Sequence, residues 1–507
     1  MRTAALFVTL SIFCVGTPSA QERLTAADRA RYREAAIACV DKILEHGLDR
    51  YGPVKTAMIA SVIDTRTGEV PQEPEPIDSL IRTEGRFHRR NPGGADLWDD
   101  QHLLRVLYAA SELSGDDTYT KASDVYVAAF LERGVKDNGL LSWGSHIYYD
   151  LYTDAPGGDQ DGKGPHETLV LCPDWKTLWR INPKAVQREI EGMWEWHVVD
   201  KETGLFNRHD DKHVGCDFAF LGGELIYAFA FLANETGDEK YLDWAKIVAG
   251  RHWNARNTDT NLTPDAPSTG DRYDANHCFT TIPGPYAASL LKAYEVSGEV
   301  SFRDMALAHI EAYTRYGWDA DAQRYHAMLT LDGAPVPEEE RGSDYDRFKP
   351  TGHVETWRTL MYSYEFPLIA AQTAVYAFEV TNDPDAHVAA RNWATHIRQD
   401  MPVQLGHRWK ADVEETMPAL KNVEGSYAEN YGRAISFFLA VHRATGDLSY
   451  LRDAKSIADD ALQKLSKDGW IVGLPTKPLY ETVDGVPILL HALLELSAYP
   501  DQLAVNL

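Results

Sequence analysis

The chain has 507 residues, with 44% hydrophobic and 25% charged. That balance excludes a disordered or collagen-like chain and leaves room for a sizeable core. With 76 acidic residues against 50 basic ones the formal charge is −26. Such a surface repels nucleic acid and anionic lipid, and it disfavours an anionic polymer unless a local basic pocket or bound cation offsets it.

Taken in order, the chain opens with Arg2 and an apolar run from Ala4 to Gly16, too short for a membrane span. This reads as a secretory signal over residues 1–20, with cleavage after Ala20. No later run reaches about 18 apolar residues, so no membrane partner is expected. The mature chain is expected to be exported, to the periplasm or beyond, with residues 21–507 forming one catalytic domain. Cys39, Cys172, Cys216 and Cys278 remain after cleavage. Four cysteines in such a length are no disulfide scaffold, and one bridge or four thiols both fit.

A first helix is predicted near Ala26 to His46 and a last near Pro487 to Ser497. Between them a turn pattern recurs in Ser114-Gly-Asp-Asp-Thr-Tyr119, Thr236-Gly-Asp-Glu-Lys-Tyr241, Ser297-Gly-Glu-Val-Ser-Phe302, Thr381-Asn-Asp-Pro-Asp385 and Thr445-Gly-Asp-Leu-Ser-Tyr450. Gly or Asn ends one helix in the left-handed conformation. An acidic residue caps the next helix, and the aromatic packs back over the turn. Each copy is therefore an αα-hairpin, repeating at about 60 residues with Pro183 to His197 as a degenerate copy. Six to seven such hairpins predict an all-α fold, an (α/α) toroid or barrel, with an open solenoid as the alternative. In a toroid the connections that follow the second helices emerge at one rim, where loops on a rigid scaffold carry function.

Those connections are polar and aromatic. His146, the His166-Glu167 pair and Arg208-His209 fall in successive ones. Two imidazoles and a carboxylate form a plausible set for a divalent transition ion, with positions left open for water or substrate. His166-Glu167-Thr168-Leu169-Val170 lacks the second histidine of a zincin protease. Asp210 and Asp211 can orient a ligand imidazole or can be solvated loop carboxylates. The stripe Met193, Trp194, Trp196, His197 reads as core, and the Gly/Asp-rich stretch Gly157 to Gly164 is not an EF-hand.

The segments Trp143-Gly-Ser-His146, Pro165-His-Glu167 and Phe206-Asn-Arg-His209 resemble polysaccharide lyase family 2, the periplasmic pectate lyases, over Trp143 to His213. That resemblance implies an (α/α) barrel of about seven hairpins and β-elimination on polygalacturonate or its oligosaccharides, giving 4,5-unsaturated uronides. It implies His146, Glu167 and His209 as ligands for manganese, or for cobalt, nickel or zinc, with Arg208 as base. Arginine is an awkward base because its pKa exceeds 12, but a nearby dication and desolvation favour its neutral form. The alternative makes Arg208 a carboxylate clamp, with His213 or the Tyr148-Tyr149 pair as base. Trp143, Lys212, Arg272 and Arg358 are candidates for binding a galacturonan, with Trp253, Trp357, Trp409 and Lys410 further afield. The competing function is a glycoside hydrolase on the same barrel acting on uronic-acid-containing oligosaccharides. It needs two carboxylates, and Asp99, Asp100 and Asp217 are available.

Overall fold

At the five turn segments the backbone follows its residues: Gly115, Gly237, Gly298, Asn382 and Gly446 sit at φ 74°, 69°, 71°, 55° and 72°. Each N–H closes on a carbonyl of the helix just ended, those of Ser111, Ala233, Tyr294, Phe378 and His442. The acidic residues then cap the following helix. Asp238 accepts from Lys240 N at 3.1 Å, Glu299 from Ser301 N at 3.2 Å, Asp383 from Ala386 N at 3.0 Å and Asp447 from Ser449 N at 2.8 Å. Tyr241, Phe302 and Tyr450 are buried over their turns.

This computed structural model describes residues 24–72, 93–144, 146–168, 172–268, 274–337, 349–357, 366–399, 424–501 and 503. The expected signal segment lies outside them. Fourteen helices of seven residues or more are described: α1 (Ala26–Gly47), α2 (Gln101–Ser114), α3 (Thr118–Arg133), α4 (Trp175–Ile181), α5 (Pro183–Trp196), α6 (Ala219–Thr236), α7 (Glu239–Ala255), α8 (Ala287–Ser297), α9 (Val300–Gly317), α10 (Pro367–Thr381), α11 (Pro384–Gln399), α12 (Ala428–Thr445), α13 (Leu448–Leu465) and α14 (Val486–Ala498). Helices α6, α10, α12 and α14 are buried on almost every face, whereas α7, α9 and α13 bury one stripe. The all-round apolar helices therefore form an inner layer and the amphipathic ones an outer layer.

The inner layer is a ring. Helix α6 packs on α8, α8 on α10, α10 on α12, α12 on α14, and α14 on α2. Short α4 completes it: Asp174 N donates to Gln101 Oε1 at the start of α2, and the Trp179 ring meets Phe231 of α6 edge-on. Each inner helix pairs with an outer one, and α14 pairs with α1 from the other end of the chain. The described residues thus make six hairpins and a seventh helix pair, α14 with α1, around one core, within the expected count. The α4–α5 hairpin is the degenerate copy: Asn182 links its helices at φ −145° instead of a left-handed residue.

Short strands decorate the ends. They are β1 (Val62–Asp64), β2 (Gly94–Ala95), β3 (Ile147–Asp150), β4 (Ala155–Gly158), β5 (Val198–Asp200), β6 (Leu205–Phe206), β7 (His277–Phe279), β8 (Trp318–Asp319), β9 (Arg324–Tyr325), β10 (Met328–Thr330), β11 (Ser466–Lys467), β12 (Trp470–Ile471) and β13 (Leu479–Glu481). All pairings are antiparallel. The β1–β13 pair joins the residues after α1 to those before α14, and β2, β3 and β4 form a three-stranded sheet that holds the residues following His146. The four cysteines Cys39, Cys172, Cys216 and Cys278 are free thiols.

Candidate metal centre

His146 reaches its position because the chain on either side has no room to shift. Gly144, two residues before it, has φ 98°, and a Cβ there would lie 3.0 Å from the Glu167 carbonyl oxygen. Its N–H donates to the Asp96 carboxylate at 3.1 Å. On the other side, Ile147 in β3 pairs with Gly158 in β4, and Asp159 N donates to the His146 carbonyl at 2.8 Å. Asp159 then turns its Oδ2 onto His146 Nδ1 at 2.8 Å. A carboxylate there fixes the proton on Nδ1 and leaves the Nε2 lone pair free to ligate.

Glu167 and His209 come from different connections, joined by an isolated antiparallel bridge. Thr168 N donates to Arg208 O at 3.0 Å and Asp210 N to His166 O at 3.3 Å on either side of it. The Asp210 side chain accepts from His166 N at 3.0 Å and is held by Lys136 Nζ at 2.6 Å and Asn138 Nδ2 at 2.7 Å. Beneath this bridge His166 is fully buried. Its Nδ1 lies 2.8 Å from His197 Nε2, and its Nε2 meets Trp143 Nε1 at 2.7 Å and Glu189 Oε1 at 2.8 Å. His197 Nδ1 donates to the Asn207 carbonyl at 3.0 Å, so its Nε2 accepts from His166. His166 is therefore a structural post under Glu167, with its nitrogens already engaged.

Three donors converge above that post. Glu167 Oε2 lies 3.3 Å from His146 Nε2, and Glu167 Oε1 lies 3.7 Å from His209 Nε2. The two imidazoles meet edge to face at 5.1 Å, and one ligand atom of each residue falls within 4.8 Å of the others. Ligands at about 2.0–2.2 Å from one ion stand about 3–3.6 Å apart, so the set needs little adjustment to share an ion. His146 Nε2, Glu167 Oε2 and His209 Nε2 are buried and make no hydrogen bond, as expected of atoms that coordinate an ion. Burial pushes the Glu167 carboxyl up, but Arg208, His209 and His146 outweigh that and hold it well below the usual carboxylate range. Burial pulls His146 down against the opposing pull of Glu167 and Asp159. Both groups are thus held in ligating protonation states, an ionised carboxylate and a neutral imidazole. Arg208 Nη1 stands 3.3 Å from Glu167 Oε1 on the same carboxylate.

Other expectations change. Trp143 is fully buried, packed at 5.2 Å on Trp98 and 5.9 Å on Trp175, so it is part of the floor and offers no face to a sugar. Lys212 pairs with Glu195 at 3.0 Å and sits 4.5 Å over the Trp196 ring. Trp357 is buried and Trp253 is covered by the Arg256 guanidinium at 3.7 Å. Arg272, Arg358, Trp409 and Lys410 lie outside the described residues. His213 is 80% exposed and turns to Asp211 at 3.5 Å, while Tyr148 and Tyr149 are buried in the β2–β3–β4 sheet. Of the stripe read as core, Met193, Trp194 and His197 are buried, while Trp196 is only partly buried, against the core and under Lys212. Of the three carboxylates available to a hydrolase, buried Asp100 accepts from Ser61 Oγ at 3.0 Å and from the Tyr126 hydroxyl, Asp217 pairs with Arg251 at 3.0 Å, and Asp99 is partly buried beside Asp100 in the chain. Sequence reasoning missed Asp159. Its signal is the Gly157-Gly158 pair before it, where a Cβ on Gly158 would sit 2.4 Å from the His146 carbonyl.

Residues 94–220 match the family described as periplasmic pectate lyase, a span that contains the whole donor set. A pectate disaccharide-lyase of Dickeya dadantii is 26% identical over 251 residues, 44% of this chain and 44% of that protein. The match thus spans less than half the length of that curated relative. Among solved structures, a family 76 glycoside hydrolase from a bovine Bacteroides thetaiotaomicron strain covers 93% of this chain and 78% of its own at TM-score 0.45 and 12% identity. The cellobiose 2-epimerase of Bacillus thermoamylovorans covers 92% and 99% at 0.46 and 11%.

Proposed function

We propose that this chain, which over residues 94–220 is similar to the periplasmic pectate lyases, is a metal-dependent lyase that cleaves polygalacturonate or its oligosaccharides by β-elimination. The observation that carries the reading is the trio of buried, unpartnered ligating atoms on His146, Glu167 and His209, with the Arg208 guanidinium on the same carboxylate. Mixed nitrogen and oxygen donors suit manganese or a similar transition ion better than calcium. The pairing of the chain ends through α1 and α14 supports one barrel over residues 21–507, and the apolar leader supports export.

Elimination breaks the C5–H bond, forms the C4=C5 double bond from its electron pair, and releases the C4–O bond to a leaving oxygen that takes a proton. A bound cation would neutralise the uronate carboxylate and so make the C5 proton more acidic. In this reading Arg208 removes that proton. Its neighbours set its place: the backbone on both sides of it is pinned by the bridge to Glu167, and Nη1 is already directed to the ion's carboxylate ligand. Asp159 keeps His146 in the tautomer that ligates, and Lys136 keeps Asp210, hence the bridge, in register. The Trp143–Trp98–Trp175 floor keeps water from below the donor set. Mass spectrometry of the products tests the reaction class. Elimination yields oligosaccharides one water lighter than hydrolysis does, and hydrolysed products alone would overturn the proposal.

A further inference from the structure

The connection that leaves α9 builds a second set of two imidazoles and a carboxylate, from residues that the elimination reaction does not use. Asp319 closes β8, His326 follows β9, and His353 faces His326 across an isolated antiparallel bridge. The bridge is fixed by Ala327 N donating to Gly352 O at 2.9 Å and Val354 N to Tyr325 O at 2.8 Å. It sets the two imidazoles side by side, 4.6 Å apart and 20° from parallel. Both Nε2 atoms face one oxygen, Asp319 Oδ2, at 3.0 Å from His353 and 3.8 Å from His326. One ligand atom of each of the three lies within 4.8 Å of the others.

The scaffold around the set is rigid. Asp319 Oδ1 is held by the N–H groups of Asp321 and Ala322, both at 3.0 Å, which leaves Oδ2 turned to the histidines. Tyr325 stacks on Trp393 at 4.2 Å and takes its N–H to His396 Nδ1 at 3.0 Å. Gln399 of α11 grips the β8–β9 turn through the carbonyls of Ala322 and Gln323. The Tyr313 hydroxyl donates to the His326 carbonyl at 2.6 Å. Preorganised donors of this kind are what a metal site requires. A His353–Asp319 hydrogen bond alone would not account for His326 Nε2 being directed at the same oxygen.

We propose that Asp319, His326 and His353 bind a second divalent transition ion, on the same rim as the first centre. The two centres share a plan. In each, connections leaving outer helices, two for the first centre and one for the second, supply two imidazoles and one carboxylate, and two of the three donors face each other across an isolated antiparallel bridge. The donor chemistry selects zinc, nickel, cobalt or manganese over calcium. The side chains of Asp319, His326 and His353 are 26%, 20% and 34% exposed, so coordination positions remain open to water or to a carboxylate oxygen of a ligand. The inference stands on its own geometry and does not depend on the lyase reading.

The test is Co2+ stoichiometry by equilibrium dialysis of the full chain, with visible absorption as a second readout. The double variant His146→Ala/His209→Ala removes the first centre and is expected to retain one ion with a cobalt ligand-field band. Adding His353→Ala is expected to remove both the ion and the band, with helical circular dichroism unchanged. Asp319→Asn provides a milder variant, expected to weaken binding at least tenfold. Loss of all Co2+ binding in a folded His146→Ala/His209→Ala variant would overturn the proposal. So would retention of the second ion in both the His353→Ala and the Asp319→Asn backgrounds.

Discussion

In the proposed centre the orientation of a donor imidazole depends on a partner of its own. For His146 it is Asp159, 2.8 Å from Nδ1. Replacing it, Asp159→Asn, is expected to weaken Mn2+ binding about 10–100-fold, read by titration calorimetry, because the amide no longer fixes the ligating tautomer. Unchanged affinity would make Asp159 a bystander. Arg208→Lys keeps a cation near Glu167 but loses the planar fork, and kcat on polygalacturonate is expected to fall about 100-fold or more while bound metal is retained. The grouping of His146, Glu167 and His209 with Arg208 was legible because they stand in three short segments whose types and order carry the resemblance. Asp159 was not, since a Gly/Asp-rich stretch looks the same whether it is a solvated loop or a strand turned back onto a histidine. Trp143 was misread for a related reason. An aromatic three residues before a ligand can face the sugar or the floor, and only the Trp98 and Trp175 packing decides it.

At the level of elements, the centre is a junction of short strands with helix ends. Gly144 has a left-handed backbone and so does Gly115, but only at Gly144 would a Cβ crowd the Glu167 carbonyl, whereas at Gly115 nothing lies within 4 Å. Both Gly→Ala changes are expected to cost about 1 kcal/mol for the backbone conformation, seen as a lower Tm. Only Gly144→Ala is expected to weaken metal binding as well; equal metal affinity in the two variants would contradict the account. The hairpins were readable from sequence because a glycine or asparagine, an acidic cap and an aromatic each have a fixed task at a helix–helix turn. The strands were not, because β2, β6, β8 and β9 are two residues long and carry no periodicity. The Glu167–His209 bridge in particular joins residues that sequence spacing alone leaves unrelated.

For the molecule as a whole, burial sets the pH response. Burial pulls His252 and His309 down to about 3, so the folded chain resists protons that the unfolded chain accepts below about pH 6.5. Burial pushes Asp100 up to about 7 and Asp265 up to about 8, so the folded chain keeps protons that the unfolded chain has lost. The histidines make stability rise with pH up to about 6.5, and the aspartates make it fall up to about 7–8. The two trends oppose each other in acid, and above about pH 6.5 only the aspartates remain. Stability is therefore expected to decline from about pH 6.5 to 8, by up to about 1.4 kcal/mol per unit for each such group. Urea unfolding across that range checks this, and Asp265→Asn is expected to flatten the slope; a slope unchanged by that variant would exclude Asp265 as its source. The ring was legible as six to seven hairpins closing into a toroid, but the pairing that closes it was not, since it joins α14 to α1 from opposite parts of the chain and follows no local turn pattern.

The central claim is that His146, Glu167 and His209 hold an ion needed for elimination on a uronan. The most direct measurement is ultraviolet absorbance of 4,5-unsaturated uronide on polygalacturonate at mildly alkaline pH, with Mn2+ and, separately, with a chelator. The account predicts a rise that the chelator abolishes, that added Mn2+ restores, and that His146→Ala lacks. A rise that survives chelation, or no rise on any uronan while reducing sugar is released, would contradict it.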